Sequence, residues 1–354
     1  MTPPLGIIEG FFGRPWSWAE RAAAVRFLRP HGYTFYLYAP KADPWLRRRW
    51  QESHPVGEME KLAELRDICR GQGVRFGIGL SPFELHLQSG RGWQEALAAR
   101  LAQLAVLKLD DLALLFDDMR GDVPDLAERQ AAIVHFAAER GLAGRVFACP
   151  SYYSDDPILD VAFGQRPPFY LEQLGRLLDP AIHLFWTGPE TCAQEFTPGH
   201  LARVAGQMGR RPVLWDNYPV NDGARMSQHL HLRGVSGRPA SIAPHIAAHG
   251  VNPASQPLLS RVPLLTLAES YAQGEAYDYL AAFDRAAREV CGEELALRLR
   301  KDILTLQDRG LDRLGERKAA LKARYAAFDH PAAREILLWL DGWWTVDDAL
   351  VQTQ

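Results

Sequence analysis

Asp117 and Asp118 are adjacent acids that close a short apolar run, Leu112-Ala113-Leu114-Leu115-Phe116. Carboxylates are side chains that act as general acid and general base. An all-apolar run of this kind reads as a strand buried on both faces, as in a parallel sheet covered by helices. A bare carboxylate inside such a sheet would cost roughly several kcal/mol. The two acids are therefore expected at the strand's C-terminal edge, where barrels and doubly wound sheets keep their active sites. Mutual repulsion is expected to raise one pKa above the other, leaving one ionised carboxylate and one proton donor. A helix N-cap would explain one Asp and leave the second without a partner.

The elements that position this pair recur along the chain. Strand-like runs lie at Leu5 to Phe12, Thr34 to Ala39, Arg75 to Leu80, Leu112 to Phe116, Arg145 to Ala148, Ile182 to Trp186 and Pro212 to Trp215, with a weaker one near Ile246 to Val251. Amphipathic stretches such as Trp18 to Leu28, Glu58 to Cys69 and Trp93 to Leu104 separate them. Eight alternating units without a long structureless gap favour a closed (β/α)8 TIM barrel, expected over residues 1–265. From about Leu265 onward the strand signal stops. Residues 266–354 read as a small C-terminal helical bundle, with helices at Tyr277 to Val290, Glu294 to Gln307, Leu314 to Phe328 and Pro331 to Leu340. The aromatic cluster Trp339, Trp343 and Trp344 is expected either to pack that bundle on the barrel or to form a dimer or ligand surface.

A barrel would gather the strand ends on one rim. These ends carry Glu9-Gly10-Phe11-Phe12-Gly13-Arg14-Pro15, Tyr38-Ala39-Pro40-Lys41, Ser81-Pro82-Phe83-Glu84, Asp117-Asp118, Pro150-Ser151-Tyr152-Tyr153, Trp186-Thr187-Gly188-Pro189, Trp215-Asp216-Asn217 through Asp222, and Asn252-Pro253. A bowl of Asp, Asn, Lys, Tyr and Trp suits a sugar: planar polar groups meet hydroxyls and aromatic faces meet the apolar sides of the ring. Metal catalysis fits poorly, because His-Glu-x-x-His is absent and the rim has no histidine; His229 and His231 lack a third ligand. No Gly-x-Ser-x-Gly or glycine-rich phosphate loop is present. No cofactor is expected.

Composition sets the bounds. The 354 residues are 47% apolar with a net charge of −3, and basic residues are dispersed, so neither nucleic acid nor a membrane surface is an expected partner. The N-terminus runs into Leu5-Gly6-Ile7-Ile8 without a basic, long apolar leader. Four widely spaced cysteines without Cys-x-x-Cys point to a reducing, cytoplasmic setting.

The blocks Glu9 to Trp16, Tyr38 to Lys41, Leu115 to Asp118, Trp186 to Pro189 and Trp215 to Asn217, in that order, resemble glycoside hydrolase family 84, which contains O-GlcNAcases and β-N-acetylglucosaminidases, some labelled hyaluronidases. The resemblance covers most of residues 5 to 270 and implies the same barrel. It also implies a retaining exo-β-N-acetylglucosaminidase in which the substrate's 2-acetamido oxygen attacks the anomeric carbon to form an oxazoline. In that scheme Asp117 holds and polarises the acetamido group, and Asp118 is general acid and then base. Tyr153 and Trp215 form the acetamido pocket, and Gly10, Lys41, Asn217, Asp222 and Asn252 bind or position the sugar. The partner is then a GlcNAc-bearing glycoside or glycoprotein, with a homodimer through the C-terminal helices as a further expectation.

Alternatives stay open. The chain could be a non-catalytic GlcNAc-binding scaffold or an endo-acting hyaluronidase. Lys41 could pair with Asp43, Trp186 could be core or ligand contact, and Asp216 could face away to anchor a loop. Phe12 stands where the family pattern has Tyr, Ala42 where it has Asp, and Gly223 where aromatics are common. The accessory modules of secreted bacterial relatives are not seen, which favours an intracellular exo-enzyme.

Overall fold

The computed structural model describes residues 2–354 apart from 89 and 91. Eight parallel strands close a barrel in sequence order, β1 pairing with both β2 and β8. They are β1 (Leu5–Glu9), β2 (Tyr33–Tyr38), β3 (Arg75–Leu80), β4 (Asp111–Leu115), β5 (Arg145–Cys149), β6 (His183–Trp186), β7 (Val213–Asp216) and β8 (Ala248–Val251). All eight expected strands are present. The first is shorter than the apolar run that marks it, because Gly10 to Phe12 leave the barrel wall and enter the rim. Strand β4 is buried along its whole length, so its apolar residues face barrel interior and helix layer alternately.

The helices of the barrel are α1 (Trp18–Leu28), α2 (Val56–Gly71), α3 (Gly92–Leu104), α4 (Leu126–Ala138), α5 (Ile158–Phe163), α6 (Tyr170–Leu177), α7 (Pro198–Met208) and α8 (Arg261–Gln273). Their starts are written locally. At α1, Ser17 Oγ accepts the Glu20 N–H at 3.3 Å while Glu20 accepts the Ser17 N–H at 2.6 Å, a reciprocal capping box. At α7, Thr197 Oγ1 accepts the His200 N–H at 3.2 Å and Pro198 takes the first helical position.

The remaining helices are α9 (Tyr279–Cys291), α10 (Glu293–Ile303), α11 (Arg317–Ala326), α12 (Pro331–Leu340) and α13 (Asp348–Thr353). Residue 265 lies inside α8, so the barrel's last helix crosses the expected division between residues 265 and 266. The bundle shares one continuous apolar core with the barrel. Glu335 on α12 accepts the N–H groups of Leu258 and Leu259 at 2.9 Å each, and Gln307 accepts those of Leu232 and Arg233 at 2.9 and 2.8 Å. Trp339 is buried and donates to the Ser227 carbonyl at 3.3 Å, and Trp344 is buried too. Trp343 is 49% exposed and lies under the Arg14 guanidinium, 3.8 Å from its carbon. Trp339 therefore packs bundle to barrel, Trp344 is buried in the shared core, and Trp343 stays half-exposed beneath Arg14. Among the described residues no helix is long and apolar enough to cross a membrane.

Candidate active site

A cavity of about 130 Å³ opens among the C-terminal strand ends. Gly10, Lys41, Asp117, Asp118, Tyr153, Trp215, Asn217, Asp222 and Asn252 all line it, so every site residue expected from the sequence comes to one place. They arrive from the ends of β1, β2, β4, β5, β7 and β8, where a parallel barrel leaves side chains to face a common rim. A larger groove of about 800 Å³ lies alongside, between the loops after β6 and β7 and helices α9 and α10, and shares Asn217 and Cys192 with the smaller cavity. Its lining holds no Asp or Glu, so the carboxylate chemistry belongs to the smaller one.

Gly10 has a steric reason. A Cβ there would stand 2.3 Å from Trp215 Cζ2, so only glycine lets the indole lie against the backbone. The Gly10 N–H donates to Asn252 Oδ1 at 3.3 Å, Asn252 Nδ2 donates to Asn217 Oδ1 at 3.0 Å, and Asn217 Nδ2 donates to the Thr191 carbonyl at 2.8 Å. This relay fixes which way both amides face. Opposite it, Asp222 Oδ2 accepts the Phe12 N–H at 2.8 Å. Burial raises the Asp222 carboxyl to about 6, the Phe12 N–H opposing and the charge of Asp118 reinforcing the rise.

Lys41 is buried, and its ammonium contacts Asp117 Oδ2 and lies 3.4 Å from Asp118 Oδ2. It does not pair with Asp43, which instead accepts from Tyr38, His54 and the Trp45 N–H. Asp117 keeps its buried Oδ1 without a hydrogen-bond partner among the described residues. Asp118 has a left-handed backbone, φ +56°, and a side chain 27% exposed. Its Oδ1 accepts the Tyr153 hydroxyl at 3.1 Å. Burial pushes the Asp118 carboxyl up, but Lys41, Arg47 and Tyr153 together outweigh it and hold the group below the usual carboxylate range. The Tyr153 phenol is driven well above its ordinary value by burial and then by both carboxylates, which keeps it a donor. The adjacent acids are thus not the self-repelling dyad that their spacing suggests, because a cation sits between them. The carboxyl raised in this cavity is Asp222.

Two further residues resolve plainly. Trp186 is fully buried, donates to His200 Nε2 at 3.1 Å, and is wall rather than lining. Asp216 faces away, accepting the Arg238 guanidinium at 2.8 and 3.0 Å and His249 at 3.1 Å; Arg238 then holds the Ala193 and Gln194 carbonyls. His229 and His231 bond the carbonyls of Gln307, Pro219 and Val220, so they fasten loops. Among the described residues no group of three His, Cys, Asp or Glu side chains is arranged to hold a metal.

A family model described as beta-N-acetylglucosaminidase matches residues 5–302. The chain belongs to this β-N-acetylglucosaminidase family. Family members from Rattus norvegicus and Mus musculus, each named Protein O-GlcNAcase, are 29% identical over 276 residues, covering 75% of this chain and 30% of theirs. The chain thus spans about 30% of the length of the curated relatives it matches. A solved structure described as a mutant O-GlcNAc hydrolase of Thermobaculum terrenum superposes with a TM-score of 0.80 at 26% identity, over 99% of this chain and 83% of that one.

Lining residues of this family member that sequence reasoning passed over are Phe12, Cys149, Thr187, Thr191, Cys192 and Val220. Phe12, Thr187 and Val220 lie within rim blocks already singled out, and Cys149 is the last residue of β5. A signal therefore existed for those four. Thr191 and Cys192 sit further along the loop after β6, where nothing in their types separates a cavity wall from a surface turn.

Proposed function

We propose that the chain hydrolyses terminal β-linked N-acetylglucosaminides with retention, through a substrate-derived oxazoline, as an O-GlcNAcase-like exo-enzyme. The observation that carries this reading is the arrangement of Asp117 and Asp118: two carboxylates from one strand end, joined by one ammonium, with Asp117 Oδ1 buried and unpartnered among the described residues. Adjacent acids are poorly placed to flank a sugar from opposite faces, as a nucleophile-and-acid pair does. They are well placed to serve one acetamido group and one leaving oxygen on the same side.

In this reading Asp117 Oδ1 takes the acetamido N–H, and its ionised partner oxygen rests on Lys41. The acetamido carbonyl, polarised and turned toward the anomeric carbon, forms the C–O bond as the glycosidic C–O bond breaks. Asp118 gives its proton to the departing oxygen. Filling the cavity removes water from Asp118, which pushes the carboxyl toward the protonated form that the first step needs. Once the aglycone leaves, Asp118 takes a proton from water that opens the oxazoline, returning the acetamido group and the enzyme to their starting states. Trp215 and Tyr153 give the methyl and ring apolar faces, while Asp222, Asn217 and Asn252 take hydroxyls.

The small cavity supports action on one terminal sugar. All four cysteines are free thiols, which supports a reducing, cytoplasmic setting. The test is release of a fluorescent phenol from its β-GlcNAc glycoside, with the β-glucose glycoside alongside. Turnover of the acetamido sugar and not of glucose supports the reading. No turnover by folded protein contradicts it.

A further inference from the structure

Arg47 is a buried cation that forms no ion pair among the described residues. It follows the turn Pro44–Leu46 beyond β2 and is 3% exposed. A guanidinium taken out of water without a carboxylate partner is costly, so its contacts call for a reason. Nη1 donates to Ser81 Oγ at 3.0 Å, Nη2 donates to the Asp118 carbonyl at 3.2 Å, and Nε has no partner among the described residues. The Ser81 N–H in turn donates to the Leu46 carbonyl at 2.8 Å. One side chain thus fastens the loop after β2 to the ends of β3 and β4. The Phe83 ring flanks it at 5.1 Å from the guanidinium carbon.

What it fastens needs holding. Asp118 has φ +56°, a left-handed conformation that Asp tolerates better than most residues with a Cβ but that still costs energy and needs support from its surroundings. We propose that Arg47 is a positioning residue for the hydrolysis, holding the Asp118 peptide so that its carboxylate stays aligned with the leaving oxygen. This rests on Asp118 being the acid and base. Arg47 does not line the cavity, so it acts through Asp118 and not on the sugar. The charged and titratable groups around Asp118 are Lys41 from the loop after β2, Cys149 at the end of β5, Tyr153 after β5, Asp222 after β7, its neighbour Asp117, and Arg47 itself. Arg47 is one of only two cations among them.

The experiment compares full-length wild type, Arg47→Met, Arg47→Lys and Asp118→Asn on β-GlcNAc glycosides of a good and a poor leaving group, with pH profiles and thermal unfolding. Arg47→Met is expected to lower kcat on the poor leaving group roughly ten- to hundredfold, a share of what a general acid supplies. KM, and kcat on the good leaving group, should change by less than about threefold. The basic limb of the profile should move to higher pH, because a cation beside the acid is gone. Arg47→Lys should recover part of the loss. Equal loss on both leaving groups with an unmoved profile, or no loss, overturns the inference. Should Arg47→Met fail to fold, Ser81→Ala removes one of the guanidinium's anchors and is judged by the same leaving-group contrast. An Asp118→Asn variant without leaving-group dependence would overturn the acid role and this inference together. A dependent Asp118→Asn beside an indifferent Arg47→Met overturns the inference alone.

Discussion

The Tyr153 hydroxyl donates to Asp118 Oδ1 at 3.1 Å, on the opposite oxygen from the one that faces Lys41. One carboxylate is thereby held at both ends, its plane set by a neutral donor and a cation. Tyr153→Phe keeps the ring and removes the donor. The Asp118 carboxyl should then rise, carrying the basic limb of kcat/KM to higher pH, while kcat falls by about tenfold, as one lost hydrogen bond to a charged group would give. A profile superimposable on wild type would show that the bond does not act on the reacting state.

Lys41→Met leaves Asp117 and Asp118 as neighbouring carboxylates with no cation between them. Removing one partner of a buried pair costs about 3–5 kcal/mol, so the midpoint of urea unfolding should fall markedly. The loss should be larger at pH 8 than at pH 4, since protonating a carboxyl relieves the unpaired charge. A variant as stable as wild type at pH 8 would mean that the ammonium is not what neutralises the pair.

Asp222 carries a folded-state pKa of about 6, above its ordinary value of 3.8. The folded chain therefore binds more protons than the unfolded one between those values, and this group's contribution to stability declines as pH rises through that window. Asp222→Asn should remove the decline, gaining stability relative to wild type above pH 6 and little below pH 4, while weakening sugar binding. Parallel stability curves for the two proteins would contradict the assignment.

Asp216 shows the opposite sign. Burial would raise it, but Arg238 and His249 lower it to about 2. Its contribution is present above pH 4 and is lost as pH falls toward 2. Asp216→Asn should destabilise the chain at neutral pH by about 3–5 kcal/mol by leaving Arg238 buried and unpaired. The surviving activity should keep the wild-type response to leaving group. A changed response would place Asp216 in the chemistry.

Gly10→Ala tests the steric account directly. The added methyl cannot coexist with the Trp215 indole where it stands, so kcat/KM should drop at least about a hundredfold, as misplacement of a binding wall by an ångström does. Activity close to wild type would show that Trp215 can move without cost.

The barrel was legible because each strand is an apolar run ended by a polar rim block, and eight such runs alternate with amphipathic helices. The candidate site was legible for the same reason: strand ends in a parallel barrel converge, so the strand pattern alone groups Lys41, Asp117, Tyr153 and Asn217 on one rim. What was not legible depends on contacts across the rim. Two adjacent acids suggest repulsion, and the placement of Lys41, 76 positions from Asp117, sets one ammonium between them to offset it. Arg47 reads as one arginine of the run Arg47-Arg48-Arg49, and nothing in its type says that it turns inward. The terminal tryptophans read first as core packing and second as an interface, and the bond from Trp339 to Ser227 places that residue in the core. The expected boundary at residue 265 falls within α8, since a helix that covers a barrel and one that follows it carry the same apolar period.

In the proposed mechanism the substrate's own acetamido oxygen is the nucleophile. Measuring kcat/KM for aryl β-glycosides carrying N-acetyl, N-monofluoroacetyl, N-difluoroacetyl and N-trifluoroacetyl groups tests it most directly, since fluorine withdraws electrons from that oxygen with little change in size. The account predicts a steep, progressive fall along the series. A flat series would contradict it and place the nucleophile on the protein or on water.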